Sequence, residues 1–316
     1  MKFKAIILAG GNGERFWPLS TPEKPKQFLD IFGGKSLLRQ CAERFSGMIG
    51  PGDIHVLTSK RLVAATRAEL PELPKKNVIG EPMRRDTAAA VALGVNSVGK
   101  KTDEVLGFFP SDQLAGDARK FRAAIGKAVD LAAKTSAIVT VGIKPTGPST
   151  DFGYIDPKRG KFVEKPPVAK AREYVRRGYL WNAGMFIARA SVFRAALAEF
   201  APEIADAKIS NYASLPRISF DYAVMEKYPE IKTVCGDFGW DDVGGFAAFD
   251  RHFKRDENGC VTIGDARAVD GGNCILVAKG ARIVTLGASD LVVVTTKDSV
   301  LVAHKSKLAE MKKLFQ

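Results

Sequence analysis

Short apolar runs alternate with stretches of helical periodicity through most of the chain. We expect buried strands in four such runs, at residues 5–9, 54–58, 105–109 and 138–143. Helices are predicted at residues 36–48, with Ser36 as the N-cap, and at residues 117–134. Because this alternation is typical of a mostly parallel sheet covered by helices, the pattern predicts an α/β, Rossmann-like fold.

The pattern changes after about residue 259. Short β-rich runs then lie at residues 274–278, 283–286, 291–295 and 300–303. Their close and even spacing favours a small all-β unit over further strand–helix layers, and a last helix is predicted near residues 306–315. We therefore expect a first domain at residues 1–258 and a second, β-rich domain at residues 259–316.

Composition narrows the classes of function. The chain has 316 residues with 46% hydrophobic content, enough for a large core. Its four cysteines form no CxxC pair and its three histidines are scattered, which argues against a zinc site, a disulfide framework and a histidine-centred nucleophile. No stretch is long enough for a membrane helix, and the apolar start is too short for a secretory signal. We expect a cytoplasmic protein with no membrane partner.

The net charge of +13 requires either an anionic partner or a solvated basic surface. Residues 158–177 carry eight Lys or Arg against two Glu, in a segment that is predicted to be strand, turn and helix. Because no aromatic interleaving accompanies these charges, we interpret them as a solvated helix face and expect no nucleic-acid partner.

The first predicted strand leads into Gly10, Gly11 and Gly13, and the cations Arg15 and Lys26 follow. Glycines allow backbone N–H groups to surround a polyphosphate, which the two cations can neutralise, so a nucleoside triphosphate is the expected ligand. The spacing matches neither a P-loop nor a dinucleotide fingerprint. A tight turn without a ligand is the alternative, but it leaves the nearby WPLS and PKQ segments unexplained.

Carboxylates follow apolar runs at two places. Asp112 comes after a predicted strand and a Pro-Ser turn, where it could equally form an Asx turn. Asp241 and Asp242 lie between Trp240 and a pair of glycines. Two carboxylates from distant positions can hold one Mg²⁺ that also binds phosphate oxygens. The pattern alone does not choose between Asp241 and Asp242.

Further polar candidates lie beside apolar segments. Lys165 follows a short strand and precedes two prolines, which suits an ammonium group held in one place, and Glu164 beside it could accept hydrogen bonds from sugar hydroxyls. An exposed pair at the end of a strand is the alternative. In WNAGMF, Asn182 is the polar exception and Gly184 offers bare backbone, whereas the aromatic residues suit a core.

An ordered set of motifs resembles the sugar-nucleotide pyrophosphorylases, and within them the mannose-1-phosphate guanylyltransferases. The motifs are LAGGNGERFWPLS with PKQF, GEPMRRDTAAA, FFPSDQL, FGYI, FVEKP, WNAGMF, FDYAVMEK and GWDDVGGF. The resemblance covers nearly the whole chain and implies a nucleotidyltransferase domain followed by a left-handed β-helix-like domain. Such domains often take part in oligomer contacts, so a homodimer is an expected assembly.

The resemblance also implies residue roles. GTP phosphates would be bound by Gly10, Gly11, Gly13, Arg15 and Lys26, and Glu81 and Thr87 would lie near the base and ribose. The sugar would be contacted by Gly153, Glu164, Asn182 and Gly184, and its phosphate by Lys165. The Mg²⁺ ligands would be Asp112 and Asp242. Four positions depart from the family pattern: Gln113, where a His is usual, Asp86, where an Asn is usual, Ala89, where a Pro is usual, and Thr21, where an Arg is usual.

The implied reaction is transfer of GMP from GTP to mannose 1-phosphate, which gives GDP-mannose and pyrophosphate. Two alternatives stay open. One is another hexose-1-phosphate nucleotidyltransferase, because specificity depends on a few hydroxyl contacts. The other is a catalytically silent relative that acts as a regulatory module, against which the presence of Arg15, Lys26, Asp112, Lys165 and Asp242 argues.

Overall fold

A computed structural model describes residues 2–11, 13–99 and 103–315. The chain forms two compact units. The first contains the residues up to Gly10 and Leu38–Asp241, and the second contains Gly11–Leu37 and the chain from Asp242 onward. The glycine turn after the first strand therefore belongs to a different unit from the strand itself.

A mixed sheet forms the centre of the first unit. The strands of this unit are β1 (Phe3–Ala9), β2 (Ile54–Ser59), β3 (Val78–Glu81), β4 (Val105–Pro110), β5 (Leu114–Ala115), β6 (Ile138–Ile143), β7 (Tyr154–Asp156), β8 (Lys161–Val163), β9 (Leu180–Arg189), β10 (Ile231–Gly236) and β11 (Trp240–Asp241). The main sheet has the order β10-β6-β9-β4-β1-β2-β3, and β7 and β8 are added beside β9. The four runs predicted to be strands are β1, β2, β4 and β6.

Along the order β10-β6-β9-β4-β1-β2-β3, four of the six neighbouring pairs are parallel, which agrees with the predicted fold class. The strands β1, β2, β3 and β4 pair in parallel, and so do β6 and β10. The strands β7 and β8 pair antiparallel with each other, and β9 runs antiparallel to β4, β6 and β7. Its register against β6 shifts between Thr140 and Gly142, so Asn182 and Gly184 lie on an irregular part of a central strand.

Helices lie between many of the strands along the chain. Their bounds are α1 (Leu37–Glu43), α2 (Val63–Glu69), α3 (Asp86–Val98), α4 (Ala118–Lys134), α5 (Val168–Arg176), α6 (Ala190–Phe200), α7 (Pro202–Ala205) and, in the second unit, α8 (Phe249–His252). The helix predicted at 117–134 is α4, whose N-cap Asp117 accepts a hydrogen bond from the backbone nitrogen of Lys120 at 2.9 Å. The helix predicted at 36–48 is shorter, because α1 gives way to tighter turns before Gly47, which has a φ of 78°.

The helix α3 is largely buried in the first unit. Its residues from Ala88 to Val95 are all buried, so it is apolar all round, as a helix enclosed by other elements must be. A Cβ on Gly94 would lie 2.7 Å from the ring of Phe108 on β4. Glycine at this position therefore allows the helix to approach the sheet closely. No helix within the described residues is long and apolar enough to span a membrane.

The C-terminal part of the second unit is a stack of short strands. They are β12 (Val261–Ile263), β13 (Ala266–Val269), β14 (Ile275–Ala278), β15 (Ile283–Leu286), β16 (Leu291–Thr295) and β17 (Val300–His304). Parallel pairs join β12 to β14, β14 to β16, and β13 to β15. Strands of one coil thus pair with strands of the next, which is the arrangement of a β-helix, and Cys260 and Cys274 lie in its core. The helix predicted near 306–315 is a run of 3-10 turns, Lys305–Phe315.

Aromatic packing organises the rest of the second unit. Phe16 lies 5.5 Å from Phe246 and 6.3 Å from Phe32, and Phe32 lies 5.3 Å from Phe249, between ring centroids. These contacts hold the segment after the glycine turn against residues 246–249. Phe16 directly follows Arg15, so this packing holds the chain beside that cation.

Candidate active site

The predicted site residues are divided between the two units. The first unit carries Gly10, Glu81, Thr87, Asp112, Gly153, Glu164, Lys165, Asn182 and Gly184. The second unit carries Gly11, Gly13, Arg15, Lys26 and Asp242.

The glycine turn of the second unit is packed against the segment that carries Lys26. Gly13 has a φ of 69°, in the left-handed region that glycine adopts without strain. A Cβ there would lie 2.5 Å from the backbone nitrogen of Lys26. The hydroxyl of Ser20 donates to the carbonyl of Gly13 at 2.6 Å. A Cβ on Gly11, by contrast, would point into open space among the described residues.

Two cations and a carboxylate are neighbours in the second unit. The ammonium group of Lys26 donates to the backbone carbonyl of Asp242 at 2.7 Å, and Lys26 is only 8% exposed. Nη1 of the exposed Arg15 donates to the carbonyl of Gly244 at 3.2 Å. A Cβ on Gly244 would lie 2.8 Å from Oδ2 of Asp242 and 3.2 Å from Nη1 of Arg15. The bare backbone of Gly244 therefore leaves room for both charged groups.

In the first unit, β1 ends beside a buried carboxylate. A Cβ on Gly10 would lie 3.3 Å from Oε2 of Glu81, the last residue of β3. The hydroxyl of Tyr212 donates to Oε1 of Glu81. Burial raises the pKa of Glu81, while the hydrogen bond from Tyr212 and the charge of Arg84 act in the opposite direction. Two residues expected at the nucleotide thus lie side by side.

The hydroxyl of Thr87 ties the start of α3 to a distant segment. Its Oγ1 accepts from the backbone nitrogen of Phe220 at 2.8 Å, which leaves the hydroxyl proton to be donated elsewhere. Asp86, where the family has Asn, has a φ of 64°, and its Oδ1 accepts from the backbone nitrogen of Thr87 at 2.8 Å. Asp and Asn both tolerate this left-handed conformation, so the backbone accommodates the departure.

The predicted sugar-side residues Gly153, Glu164 and Lys165 form one cluster. A Cβ on Gly153 would collide with Oε2 of Glu164, whose side chain is 8% exposed. The ammonium group of Lys165 donates to Oε1 of Glu164 at 2.6 Å. Partial burial acts to lower the pKa of Lys165, but the hydrogen bond and charge of Glu164 outweigh it and raise the pKa. The ammonium group therefore stays charged.

Hydrogen bonds fix the orientation of the Asn182 amide. Its Oδ1 accepts from Oγ1 of Thr140 and from the backbone nitrogen of Gly184, both at 3.0 Å. Its Nδ2 donates to Oδ1 of Asp221 at 3.0 Å. The backbone nitrogen of Asn182 donates to the carbonyl of Gly153 at 2.9 Å. Gly184 has a φ of 68°, which glycine allows at this irregular place in β9.

Gln113, another departure from the family pattern, makes two hydrogen bonds with its side chain. Its Nε2 donates to the carbonyl of Ala183 at 2.9 Å, and its Oε1 accepts from Nε1 of Trp240 at 3.0 Å. The side chain thereby joins β9 to β11.

Asp112 follows β4 and is partly buried. Its charge adds to the effect of burial in raising the pKa of the Cys41 thiol to about 11, which places the carboxylate close to that buried side chain. Within the described residues, no group of three or more His, Cys, Asp and Glu side chains could hold a metal ion. Mg²⁺ commonly binds through one or two carboxylates and substrate phosphates, so Asp112 and Asp242 are chemically suitable ligands for it.

Sequence reasoning missed two acidic residues that contact the sugar-side cluster. Asp221 accepts from Asn182, and Oε1 of Glu226 accepts from the backbone nitrogen of Glu164 at 2.9 Å. Burial and the charge of Glu164 raise the pKa of Asp221 to about 7, against the lowering effects of Lys165 and Asn182. Both residues lie in the FDYAVMEK motif. The signal in the sequence that could have identified them is a carboxylate on each side of an apolar run.

Comparisons with known proteins agree with the motif set. The family model described as Nucleotidyl transferase matches residues 4–259, and that described as MannoseP isomerase/GMP-like beta-helix domain matches residues 264–316. The alginate biosynthesis protein AlgA of Pseudomonas aeruginosa is 35% identical over 97% of this chain and 70% of its own length. A mannose-1-phosphate guanylyltransferase of Klebsiella pneumoniae is 34% identical over 98% of this chain and 72% of its own length.

A solved structure is similar to this chain over its whole length. It is described as mannose-1-phosphate geranyltransferase from Thermus thermophilus and is 36% identical. It superposes with a TM-score of 0.92 and covers 100% of this chain and 98% of its own.

Proposed function

Because this chain belongs to the nucleotidyl transferase family, we propose that it transfers GMP from GTP to mannose 1-phosphate, forming GDP-mannose and releasing pyrophosphate. The observation that carries the proposal is the pairing of that domain with the β-helix domain at residues 264–316. Relatives in Klebsiella pneumoniae and Escherichia coli with the guanylyltransferase name are both 34% identical over 98% of the chain.

The glycine turn and its cations bind the triphosphate in this proposal. Gly10, Gly11 and Gly13 let the phosphates approach the backbone. Arg15 and Lys26 neutralise the negative charge of the phosphates. The contacts of both cations with the segment 242–244 support this role, since each is held in place before substrate arrives.

Glu81 and Thr87 lie near the base and ribose in this proposal. The sugar is held by Gly153, Glu164, Asn182 and Gly184. Lys165, which stays charged, holds the sugar phosphate. Its positive charge offsets the repulsion between the sugar phosphate and the triphosphate and so keeps the two substrates aligned. The hydrogen-bonded cluster of these sugar-side residues supports the assignment.

Members of this family generally use a divalent metal, and we propose Mg²⁺ with Asp112 and Asp242 as its ligands. When bound, Mg²⁺ supplies positive charge to the phosphates. The attacking group is the phosphate oxygen of the sugar 1-phosphate, which displaces pyrophosphate from the α-phosphorus of GTP. A phosphate monoester with a second pKa of about 6 is largely ionised at neutral pH, so the chain needs no general base.

We also propose a domain boundary, an assembly, the partners and a compartment. The domain boundary lies between residues 258 and 259, and the protein assembles as a homodimer. The substrates are its partners, with neither nucleic acid nor membrane among them. The cytoplasm is the proposed compartment, because a reducing environment suits four cysteines that are all free.

The test is pyrophosphate release by the purified chain with GTP, mannose 1-phosphate and Mg²⁺. Lys26→Ala and Asp242→Asn should each abolish turnover with the fold retained. Lys24→Ala is the matched control for Lys26, because Lys24 is an exposed cation two positions away that pairs with Asp30 at 3.7 Å. Asp241→Asn decides between the adjacent carboxylates. Turnover at the wild-type rate by Lys26→Ala or Asp242→Asn would contradict the assigned roles.

A further inference from the structure

One short segment, residues 218–226, contacts two groups of proposed substrate-binding residues in the first unit. At its start, the carbonyl of Ile218 accepts from the backbone nitrogen of Ala88 at 3.2 Å. The backbone nitrogen of Phe220 donates to Oγ1 of Thr87. The start of the segment is therefore anchored on α3, beside the residue proposed to lie at the nucleotide.

The end of the same segment contacts the sugar-side cluster. Oδ1 of Asp221 accepts from Nδ2 of Asn182, and Oε1 of Glu226 accepts from the backbone nitrogen of Glu164. Glu226 is exposed, so its hydrogen bond competes with water. Asp221 is partly buried, and its contact with Asn182 is the better protected of the two.

A π-helical turn explains how two residues five positions apart act on one cluster. The turn is Asp221–Met225, and the backbone nitrogen of Glu226 donates to the carbonyl of Asp221 at 3.0 Å. In an α-helix, positions five apart are separated by about 140° around the axis. The wider π turn brings such positions closer to one face, and π turns are frequent at functional sites.

The hydrogen bonds of Asn182 determine what its amide can offer to a ligand. Its Oδ1 already accepts two hydrogen bonds, from Thr140 and Gly184, which fills both lone pairs. Its Nδ2 has two N–H groups, of which Asp221 accepts one. The amide therefore presents a donor, and a sugar hydroxyl that contacts it must accept. Without Asp221, the amide would lose the partner that holds its nitrogen in place.

We propose that Asp221 is a positioning residue for the sugar phosphate: it orients the Asn182 amide so that one N–H group is donated to a hydroxyl of the hexose. The inference rests on the proposed function, because it requires a hexose 1-phosphate at this cluster. Asp221 acts through Asn182 and does not itself contact the substrate.

The experiment is steady-state kinetics with each substrate varied in turn. Asp221→Ala should raise the KM for mannose 1-phosphate about tenfold, because the hydrogen bond that holds the Asn182 amide is lost. The KM for GTP should rise less than about twofold, because this hydrogen bond belongs to the sugar-side cluster. Asp221→Asn retains an acceptor and should keep the KM for mannose 1-phosphate within about threefold of wild type. Lys227→Ala, an exposed residue just after the turn, is the control and should match wild type.

A second variant keeps the inference testable if Asp221→Ala fails to fold. Thr140→Val removes the hydroxyl that donates to Oδ1 of Asn182 at nearly constant volume, and should raise the same KM selectively. Deoxy analogues of mannose 1-phosphate supply a further readout. The analogue that wild type rejects most strongly should be rejected less by both variants.

The outcomes separate the two claims. If wild type turns over no hexose 1-phosphate, the proposed function fails and the inference fails with it. If wild type is active but both variants leave the KM for mannose 1-phosphate unchanged, or raise both KM values equally, only the inference is overturned. Failure of Asp221→Asn to restore the KM would also overturn it.

Discussion

Replacing Asp221 by Asn should make the protein more stable, and increasingly so as the pH rises. Burial and the charge of Glu164 raise the pKa of Asp221 in the folded state to about 7 from 3.8. The raised pKa means that the folded state binds a proton more tightly than the unfolded state does. The contribution of Asp221 to the free energy of unfolding is therefore fully present at a pH below its pKa in the unfolded state. It is lost as the pH rises toward its pKa in the folded state.

The size of the effect follows from the shift. Each pH unit between the two pKa values costs about 1.4 kcal/mol of unfolding free energy. Between pH 5 and pH 7 the wild-type protein should lose about 2 to 3 kcal/mol from this residue, and above pH 7 the loss levels off. An Asn at this position carries no charge to desolvate and still accepts from Asn182. The variant should therefore lack this part of the pH dependence.

The assay is urea unfolding of both proteins at pH 5 and pH 8, followed by the fluorescence of Trp181 and Trp240 in the first unit. The stability advantage of Asp221→Asn should grow by about 2 to 3 kcal/mol from pH 5 to pH 8. Asp130→Asn, on the exposed face of α4, is the control and should show no such growth. An advantage that is equal at the two pH values, or that shrinks toward pH 8, would refute the reasoning.

Three further predictions concern the nucleotide side and the metal. Gly13→Ala should lower the free energy of unfolding by about 1 to 3 kcal/mol and abolish pyrophosphate release, because its Cβ would meet the Lys26 backbone at 2.5 Å. Gly11→Ala is the control, and a thermal midpoint of Gly13→Ala that is no lower than that of the control would contradict this prediction. Tyr212→Phe should lower the free energy of unfolding by about 1 to 3 kcal/mol. The loss should be larger at pH 8 than at pH 5, because the carboxylate of Glu81 loses its hydrogen-bond donor. Equal losses at the two pH values, measured by urea unfolding, would count against the pairing of Tyr212 with Glu81. Excess EDTA should stop turnover and added Mg²⁺ should restore it, whereas full activity in EDTA would remove Asp112 and Asp242 from the proposal as metal ligands.

The sequence pattern predicted the elements whose burial is uniform. Strands β1, β2, β4 and β6 are short apolar runs enclosed on both faces, so their hydrophobicity alone identifies them. The direction of β9 was not predictable in this way, because an antiparallel central strand has the same apolar composition as a parallel one. The end of α1 was missed because its apolar spacing continues through residues 45 and 48, where the backbone turns more tightly.

The candidate site was predictable where a residue type implies its own chemistry. The glycines and cations of the first motif predict phosphate binding, which stays a prediction, and Gly13 does adopt the left-handed conformation that glycine allows. Asp221 was missed because the role that we propose for it depends on its environment, which is a π turn, the Asn182 amide and the charge of Glu164. No local pattern specifies those three together. The β-helix domain is confirmed by its family model, whereas the left-handed sense of its coils stays a prediction.

The most direct test of the central claim is pyrophosphate release from each of the four nucleoside triphosphates, with mannose 1-phosphate and with glucose 1-phosphate, in the presence of Mg²⁺. We expect the highest kcat/KM for GTP with mannose 1-phosphate, by at least about tenfold over every other pair. A higher value for another nucleotide or for glucose 1-phosphate, or no release from any pair, would contradict it.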